Sequence, residues 1–164
     1  MKNGKEVRVI VDTNVWISFL IGRKMSYLMT VLIRPEVQLV FSKELLTELY
    51  CVTRRNKFAK YFSASDKVDE FMMYLQTIGR VYELPHDIPS RCRDAKDDYL
   101  LELAIQSDAN FLITGDNDLL VIARIEHCRI VTITEFELLW SEDSSDRMLL
   151  NEAEYVYHTG KRPL

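Results

Sequence analysis

Four carboxylates stand where the sequence could place a divalent metal ion. Asp12 follows the β-branched run Val7–Val11, and Asp116 follows the apolar run Phe111–Thr114, so each comes at the end of an expected strand. In an open α/β sheet, ligands bind outside the carboxyl ends of the strands. Either residue alone could instead be a helix N-cap, since aspartate is among the best capping residues.

The other two carboxylates, Glu48 and Asp98, border the apolar faces of expected helices. At 100° per residue, Glu48 falls about 60° from the apolar Leu45, and Asp98 falls about 20° from Ile105. The neighbouring Asp97 belongs to the first turn, where a helix N-terminus stabilises acidic side chains. A favourable interaction with the helix dipole is therefore the alternative explanation for these positions.

A cluster of carboxylates indicates metal chemistry because uncompensated negative charges repel one another and raise their pKa values. A divalent cation removes that conflict. Oxygen ligands favour Mg²⁺ or Mn²⁺, whereas zinc favours His or Cys, and the three histidines, His86, His127 and His158, lack metal-ligand spacing. Mg²⁺ keeps several waters, one of which can attack a phosphodiester.

The elements that must position these residues alternate between strand and helix. Such alternation predicts crossover units and a parallel sheet that is covered on both faces. The expected strands are Val7–Val11, Val37–Phe41, Arg80–Leu84, Ala109–Thr114 and Arg129–Ile133. The expected helices cover 13–21, 25–33, a segment capped by Ser42, a segment from Ser65 or Asp66 to Gly79, 97–106, 118–123 and 135–140.

Length and composition predict one domain. With 164 residues, 48% of them hydrophobic, the chain is long enough to bury a core. We assign residues 1–140 to the domain and residues 141–164 to a C-terminal extension, either a helical arm or partly disordered. The three cysteines lack C-x-x-C spacing, and Asp12 and Asn14 interrupt the first apolar run, so we expect reduced thiols, no signal peptide, no membrane span and a cytoplasmic protein.

Four stretches carry a resemblance to a known family: VIVDTNVWIS, LVFSKELLTELYCV, CRDAKDDYLLELAIQSDANFLITGDNDLL and IVTITEFELL. In this order, between Val7 and Trp140, they resemble the PIN-domain nucleases, most closely the bacterial toxin components of toxin–antitoxin systems. The resemblance implies a three-layer α/β/α sandwich with a twisted five-stranded parallel sheet. It also implies an endoribonuclease dependent on Mg²⁺ or Mn²⁺, in the manner of VapC-type toxins, with RNA as substrate, a homodimer and a cognate antitoxin.

The resemblance further implies a role for each motif residue. Asp12, Asp98 and Asp116 match the metal-binding aspartates, and Glu48 matches the acidic residue that helps to hold the metal or its water. The 18-residue interval from Asp98 to Asp116 suits the family and favours Asp98 over Asp97. The supporting positions are Asn14 and Thr114, which would orient the site by hydrogen bonding, and Asp94 and Asp118, which could bind a second metal, support the ligands, or be a loop charge and a helix cap.

Nucleic-acid contacts require locally concentrated positive charge, since the net charge of the chain is −4. Two basic segments are candidates. Arg91, Arg93 and Lys96 stand beside the expected third aspartate, and we favour them for phosphate contacts. Arg54 and Arg55 open the second segment, RRNKFAKYF, whose aromatic residues could stack on bases or belong to the core.

Three other functions have to be compared with this one, and the residues argue against the last two. A PIN fold with all its acids could bind RNA or protein without cutting it. A phosphohydrolase of the haloacid dehalogenase type also begins with a strand and an aspartate, but it needs a second aspartate where this chain has Asn14. A two-component receiver domain needs a lysine after a late strand, and the segment Val131–Thr134 offers none.

Overall fold

The structure is a computed structural model that describes residues 6–22, 26–62 and 65–140. The expected C-terminal extension, residues 141–164, lies outside them. Within the described residues, the strands are β1 (Val7–Val11), β2 (Val37–Ser42), β3 (Arg80–Tyr82), β4 (Phe111–Ile113), β5 (Arg124–Ile125) and β6 (Cys128–Val131). The α-helices are α1 (Thr13–Leu20), α2 (Ser26–Leu32), α3 (Lys43–Thr53), α4 (Ser65–Ile78), α5 (Asp98–Gln106), α6 (Asn117–Leu120) and α7 (Ile133–Leu139).

The strands form a mostly parallel sheet in the order β3-β2-β1-β4-β6-β5. From β1 the chain moves outward through β2 to β3, then returns to place β4 on the other side of β1. Because parallel crossovers are right-handed, this reversal of direction puts the connecting helices on both faces of the sheet. The expected α/β/α sandwich is confirmed, and the reversal makes the boundary between β1 and β4 the place where ligands bind in such sheets.

The strand count differs from the expected five parallel strands. The additional strand, β5, has only two residues and pairs antiparallel with β6 through Arg124 with Arg129 and Ile125 with Cys128. The turn between them contains Glu126 at a φ of 48°. A two-residue strand has no periodicity of its own, so the hairpin depends on pairing with β6 and on the tight turn.

The core lies between the sheet and its helices. The central strands β1 and β2 end in fully buried residues, and Trp16 on α1 stacks on Phe41 of β2 with ring centroids 6.2 Å apart. Gly79, which ends α4, lies against Phe41, where an added Cβ would approach the ring to 2.3 Å. This packing fixes α1, α3 and α4 on one face and so fixes where their first turns stand.

Capping places the helix starts at the carboxyl ends of the strands. Ser42 accepts a hydrogen bond from the backbone N–H of Leu45, as its position before α3 predicts. Thr132 and Glu135 form a reciprocal capping box at the start of α7. A short 3-10 turn, Ala95–Asp97, precedes α5. This turn is a feature that the sequence pattern had merged with the helix.

Candidate active site

Asp12 and Asp116 meet at the boundary between β1 and β4. Val11 pairs with Ile113 at the ends of the two strands, and the backbone N–H of Asp12 donates to the Ile113 carbonyl at 2.9 Å. Thr114 connects the two acids: its hydroxyl donates to Asp12 Oδ2 at 2.7 Å and accepts from the Asp116 backbone N–H at 3.0 Å. The threonine thus orients the site by hydrogen bonding, in the position where the motif predicted it.

Asp12 is buried at 5% exposure, and its side chain makes no capping hydrogen bond to α1. Burial raises its pKa, as do the charges of Glu48 and Asp116, whereas the hydrogen bond from Thr114 opposes that rise. Asp116 does act as an N-cap, since its Oδ1 accepts from the Asp118 backbone N–H at 2.8 Å. The capping explanation therefore holds for Asp116 and fails for Asp12.

Glu48 reaches the same place from α3. Its Oε2 accepts a hydrogen bond from the Thr13 hydroxyl at 3.1 Å and a second from the Tyr99 hydroxyl. Burial and the bond to Glu48 raise the pKa of Tyr99, so the phenol stays protonated and donates. Glu48 is thus held between α1 and α5, beside the residue that follows Asp12.

Asp97, the neighbour of the expected Asp98, also interacts with this group of acids. Burial, together with the charges of Asp116, Asp12, Asp94 and Glu48, raises the pKa of Asp97 to about 7, so Asp97 shares their field. The 3-10 turn before α5 sets this orientation, because it ends at Asp97 and starts the α-helix at the next residue. Spacing along the chain could not separate adjacent aspartates that point in different directions.

Asp98 has a different set of partners. Its Oδ1 accepts hydrogen bonds from the backbone N–H groups of Arg91 at 2.7 Å and of Cys92 at 2.6 Å, and the residue is only 5% exposed. The Arg91 guanidinium pairs with the buried Glu102 at 2.7 Å. Asp98 and Glu102 together fasten the loop before α5 to that helix, while the roles of Asp98 as a metal ligand and of Arg91 as a phosphate contact stay predictions.

Arg93 and Lys96 remain on the surface beside the acids. Arg93 pairs with Asp118 at 2.7 Å while its side chain stays 85% exposed, and Lys96 lies 3.5 Å from Asp94. The backbone N–H of Lys96 also lowers the pKa of Asp94 by hydrogen bonding to its carboxylate. Both supporting acids, Asp94 and Asp118, thus hold basic side chains at the rim.

The second basic segment lies farther away, beyond the last turn of α3. Arg54 stacks on the Tyr50 ring and lies 3.4 Å from Asp69, whereas Arg55 is exposed. At 1.5 Å per residue, Arg54 stands about 9 Å beyond Glu48 along the helix axis. Phe58 and Phe62 of this segment pack partly buried against the core, in agreement with the alternative explanation for them, whereas its third aromatic residue, Tyr61, is exposed.

A shallow cavity of about 480 Å³ opens beside Asp116 and is lined by Asn14, Arg93, Gly115, Asn117 and Asp118. Asn14 is exposed at its edge, directly after the motif residues of β1. The cavity combines carboxylate, amide and guanidinium groups at the switch point of the sheet. It can therefore admit a polar, phosphate-bearing ligand.

In residues 6–22, 26–62 and 65–140, no three His, Cys, Asp or Glu side chains lie together as a group that could hold a metal ion. The donors at the switch point are nevertheless all carboxylates, and those of Asp12 and Asp97 have raised pKa values. Mg²⁺ is bound by one or two carboxylates and several waters, so it does not need a closed protein cage. The donor set fits a hard divalent cation and does not fit zinc.

Sequence reasoning missed three residues of this site. The sequence analysis favoured Asp98 over Asp97, and it did not consider the hydroxyl donors Thr13 and Tyr99. Their partner, Glu48, lies 35 residues from Thr13 and 51 from Tyr99 along the chain. The signal that could have found this contact is Tyr99 itself, which carries a hydroxyl group on the apolar side of α5, since buried hydroxyls find hydrogen-bond partners.

Among the described residues, no helix has the length and apolar character needed to cross a membrane. The thiols of Cys51, Cys92 and Cys128 are free, with Cys51 exposed and the other two buried.

Comparison with known proteins supports the motif analysis. A family model of the PIN domain matches residues 8–118, about two thirds of the chain, including all the acids described above. No curated protein is a significant match. Among solved structures, VapBC2 from Rickettsia felis, bound to a DNA fragment from its promoter, superposes with a TM-score of 0.51 at 16% identity. The match covers 77% of this chain and 98% of that one, which shows a shared fold. The chain therefore belongs to the PIN domain family.

Proposed function

We propose that this chain is a ribonuclease that hydrolyses phosphodiester bonds with the help of Mg²⁺ or Mn²⁺. PIN domains are generally nucleases that use divalent metal ions. The observation that supports the proposal most is the shared field of Asp12, Glu48, Asp97 and Asp116, which come from four separate segments. The nearby guanidinium of Arg93 is already paired with Asp118, so a cation from solution would be needed to balance the negative charge of the four acids.

Each acid has its own task in this proposal. Asp12, Asp97 and Asp116 would hold the cation, and Glu48 would hold the cation or accept a hydrogen bond from its water. When bound, the cation would supply positive charge next to the scissile phosphate and activate water for attack. Thr114 keeps the Asp12 carboxylate in place, and Glu48 would accept the proton from the attacking water.

The rim of the site would bind the RNA backbone. Arg93 and Lys96 are exposed and flank the cavity beside Asp116. Each can therefore leave its carboxylate partner, Asp118 or Asp94, and bind a phosphate instead. Asn14 at the cavity edge could donate to the same phosphate. Arg55, which is exposed, would make a more distant backbone contact, whereas Arg54 is engaged with Tyr50 and Asp69.

The biological setting is proposed on the resemblance to VapC-type toxins. The superposed structure is a VapBC2 complex bound to a promoter fragment, which favours a toxin–antitoxin system as the setting. We propose a cognate antitoxin as partner, a homodimer as the assembled form, and the cytoplasm as the place of action. By the same analogy the products would carry a 5′-phosphate and a 3′-hydroxyl.

The test is cleavage of a mixed-sequence, end-labelled single-stranded RNA with Mg²⁺, with Mn²⁺ and with EDTA. The Asp12→Asn variant removes one site charge, and Asp69→Asn, an exposed residue on α4, is the matched control. The proposal predicts metal-dependent cutting by the wild type and the control but not by Asp12→Asn. Cutting that persists in EDTA, or equally in Asp12→Asn, would contradict it.

A second candidate function is a PIN fold that binds RNA without cutting it. The exposed Arg93 and Lys96 at the rim favour it, because they would bind phosphate whether or not the acids act. RNA binding that Arg93→Ala weakens, together with no cleavage under any metal condition, would favour this function. Cleavage of single-stranded DNA instead of RNA would support the same active site with a different substrate.

A further inference from the structure

Glu48 is held by two hydroxyl groups from different helices. The Thr13 hydroxyl, in the first turn of α1, donates at 3.1 Å, and the Tyr99 hydroxyl, in the first turn of α5, donates to the same oxygen, Oε2. In the described part of the chain, no hydrogen bond reaches the other oxygen, Oε1. A glutamate has three side-chain torsions, so two donors on one oxygen remove most of its freedom and keep the second oxygen available.

We propose that Tyr99 is a positioning residue that fixes the Glu48 carboxylate so that its Oε1 serves the bound cation or its water. The inference rests on the proposed function of the site. Tyr99 is suited to this task because it lies two residues after Asp97, where the 3-10 turn leads directly into α5, so one continuous segment positions both acids. Partners of this kind, which orient a metal-binding side chain, change metal affinity about 10- to 100-fold when they are removed.

The half-buried setting of Tyr99 strengthens the hydrogen bond. The carboxylate accepts from a neutral phenol in a partly buried setting, and charge-assisted bonds of this type are among the strongest in proteins. A phenylalanine at this position would keep the ring and remove only the donor. The Glu48 side chain would then be held by Thr13 alone.

The experiment measures Mn²⁺ affinity of the full chain by isothermal titration calorimetry. The variants are Tyr99→Phe, Glu48→Gln and the double variant, with Tyr74→Phe on the exposed face of α4 as the matched loss of a phenol. We expect Tyr99→Phe to weaken Mn²⁺ binding about 10-fold. In the Glu48→Gln background it should have no further effect, because a residue that acts through Glu48 has nothing left to position.

Thr13→Val is a second variant that removes the other donor at nearly constant volume, and it should also weaken Mn²⁺ binding and be non-additive with Glu48→Gln. Equal affinity in Tyr99→Phe and the wild type would overturn the inference and leave the metal site intact. The inference would also be overturned if Tyr99→Phe weakened Mn²⁺ binding as much in the Glu48→Gln background as in the wild type. If the wild type binds no Mn²⁺, the proposed function fails together with the inference.

Discussion

The adjacent aspartates Asp97 and Asp98 should respond to substitution with opposite signs. Asp98 accepts two backbone hydrogen bonds at 2.7 and 2.6 Å in a buried setting, so Asp98→Ala leaves two N–H groups without partners. Hydrogen bonds to a charged group contribute about 1.5–3 kcal/mol each, and since both share one oxygen we expect a total loss of about 3 kcal/mol. For a domain of this size that lowers the Tm by about 6–12 °C.

Asp97→Asn should instead stabilise the metal-free protein. The pKa of Asp97 is raised from 3.8 to about 7, so the folded state opposes an ionisation that the unfolded chain permits. The stability cost is absent below the unfolded pKa, grows as the pH rises towards 7 and is complete above it. A fully buried group would give about 4 kcal/mol, but water screens this partly exposed carboxylate, so we expect a gain of about 1 kcal/mol at pH 8.

The assay is urea unfolding in EDTA at pH 8 and pH 5, with Asp98→Asn as a milder variant that keeps an acceptor oxygen. The gain from Asp97→Asn should be smaller at pH 5 than at pH 8, because part of the folded-state cost has disappeared at the lower pH. The reasoning would be refuted if both substitutions destabilised the protein equally, or if Asp97→Asn destabilised it at pH 8.

Three further outcomes are expected. Mn²⁺ affinity should fall as the pH drops below about 7, because a proton on Asp97 competes with the cation; titration calorimetry from pH 6 to 8 measures it, and a pH-independent affinity would contradict it. Gly79→Ala should destabilise the fold by about 2 kcal/mol, since its Cβ would meet the Phe41 ring at 2.3 Å and the Leu75 carbonyl at 2.8 Å; an unchanged urea midpoint would count against this packing. Arg93→Ala should weaken RNA binding and reduce its salt dependence by about one unit of slope without altering Mn²⁺ affinity, whereas an unchanged salt slope would remove Arg93 from the interface.

The sequence predicted the positions of Asp12, Asp116 and Glu48 because each follows from local pattern. Strand ends and helix faces have fixed periodicities, so a carboxylate directly after a buried strand must stand at the edge of the sheet. Thr114 was predicted from its place in the motif, and its hydroxyl does connect the two strand-end acids. Local order was sufficient for these residues.

The choice between Asp97 and Asp98 could not be made from periodicity. The 3-10 turn of Ala95–Asp97 advances by 120° per residue instead of 100°, so an α-helical projection gives the direction of Asp98, inside α5, but not that of Asp97. The sequence pattern also did not reveal the ion-pair partner of Arg91. Glu102 lies 11 residues away on a helix whose buried face was expected to be apolar, and only the folded loop brings the two charges together.

The most direct test of the metal site is anomalous scattering from Mn²⁺ in crystals of this chain. We predict a single strong peak at the carboxyl ends of β1 and β4, in contact with Asp12, Asp97 or Asp116 and within reach of Glu48. A peak bound by Asp98, or no peak at the switch point in crystals that contain excess Mn²⁺, would contradict the account.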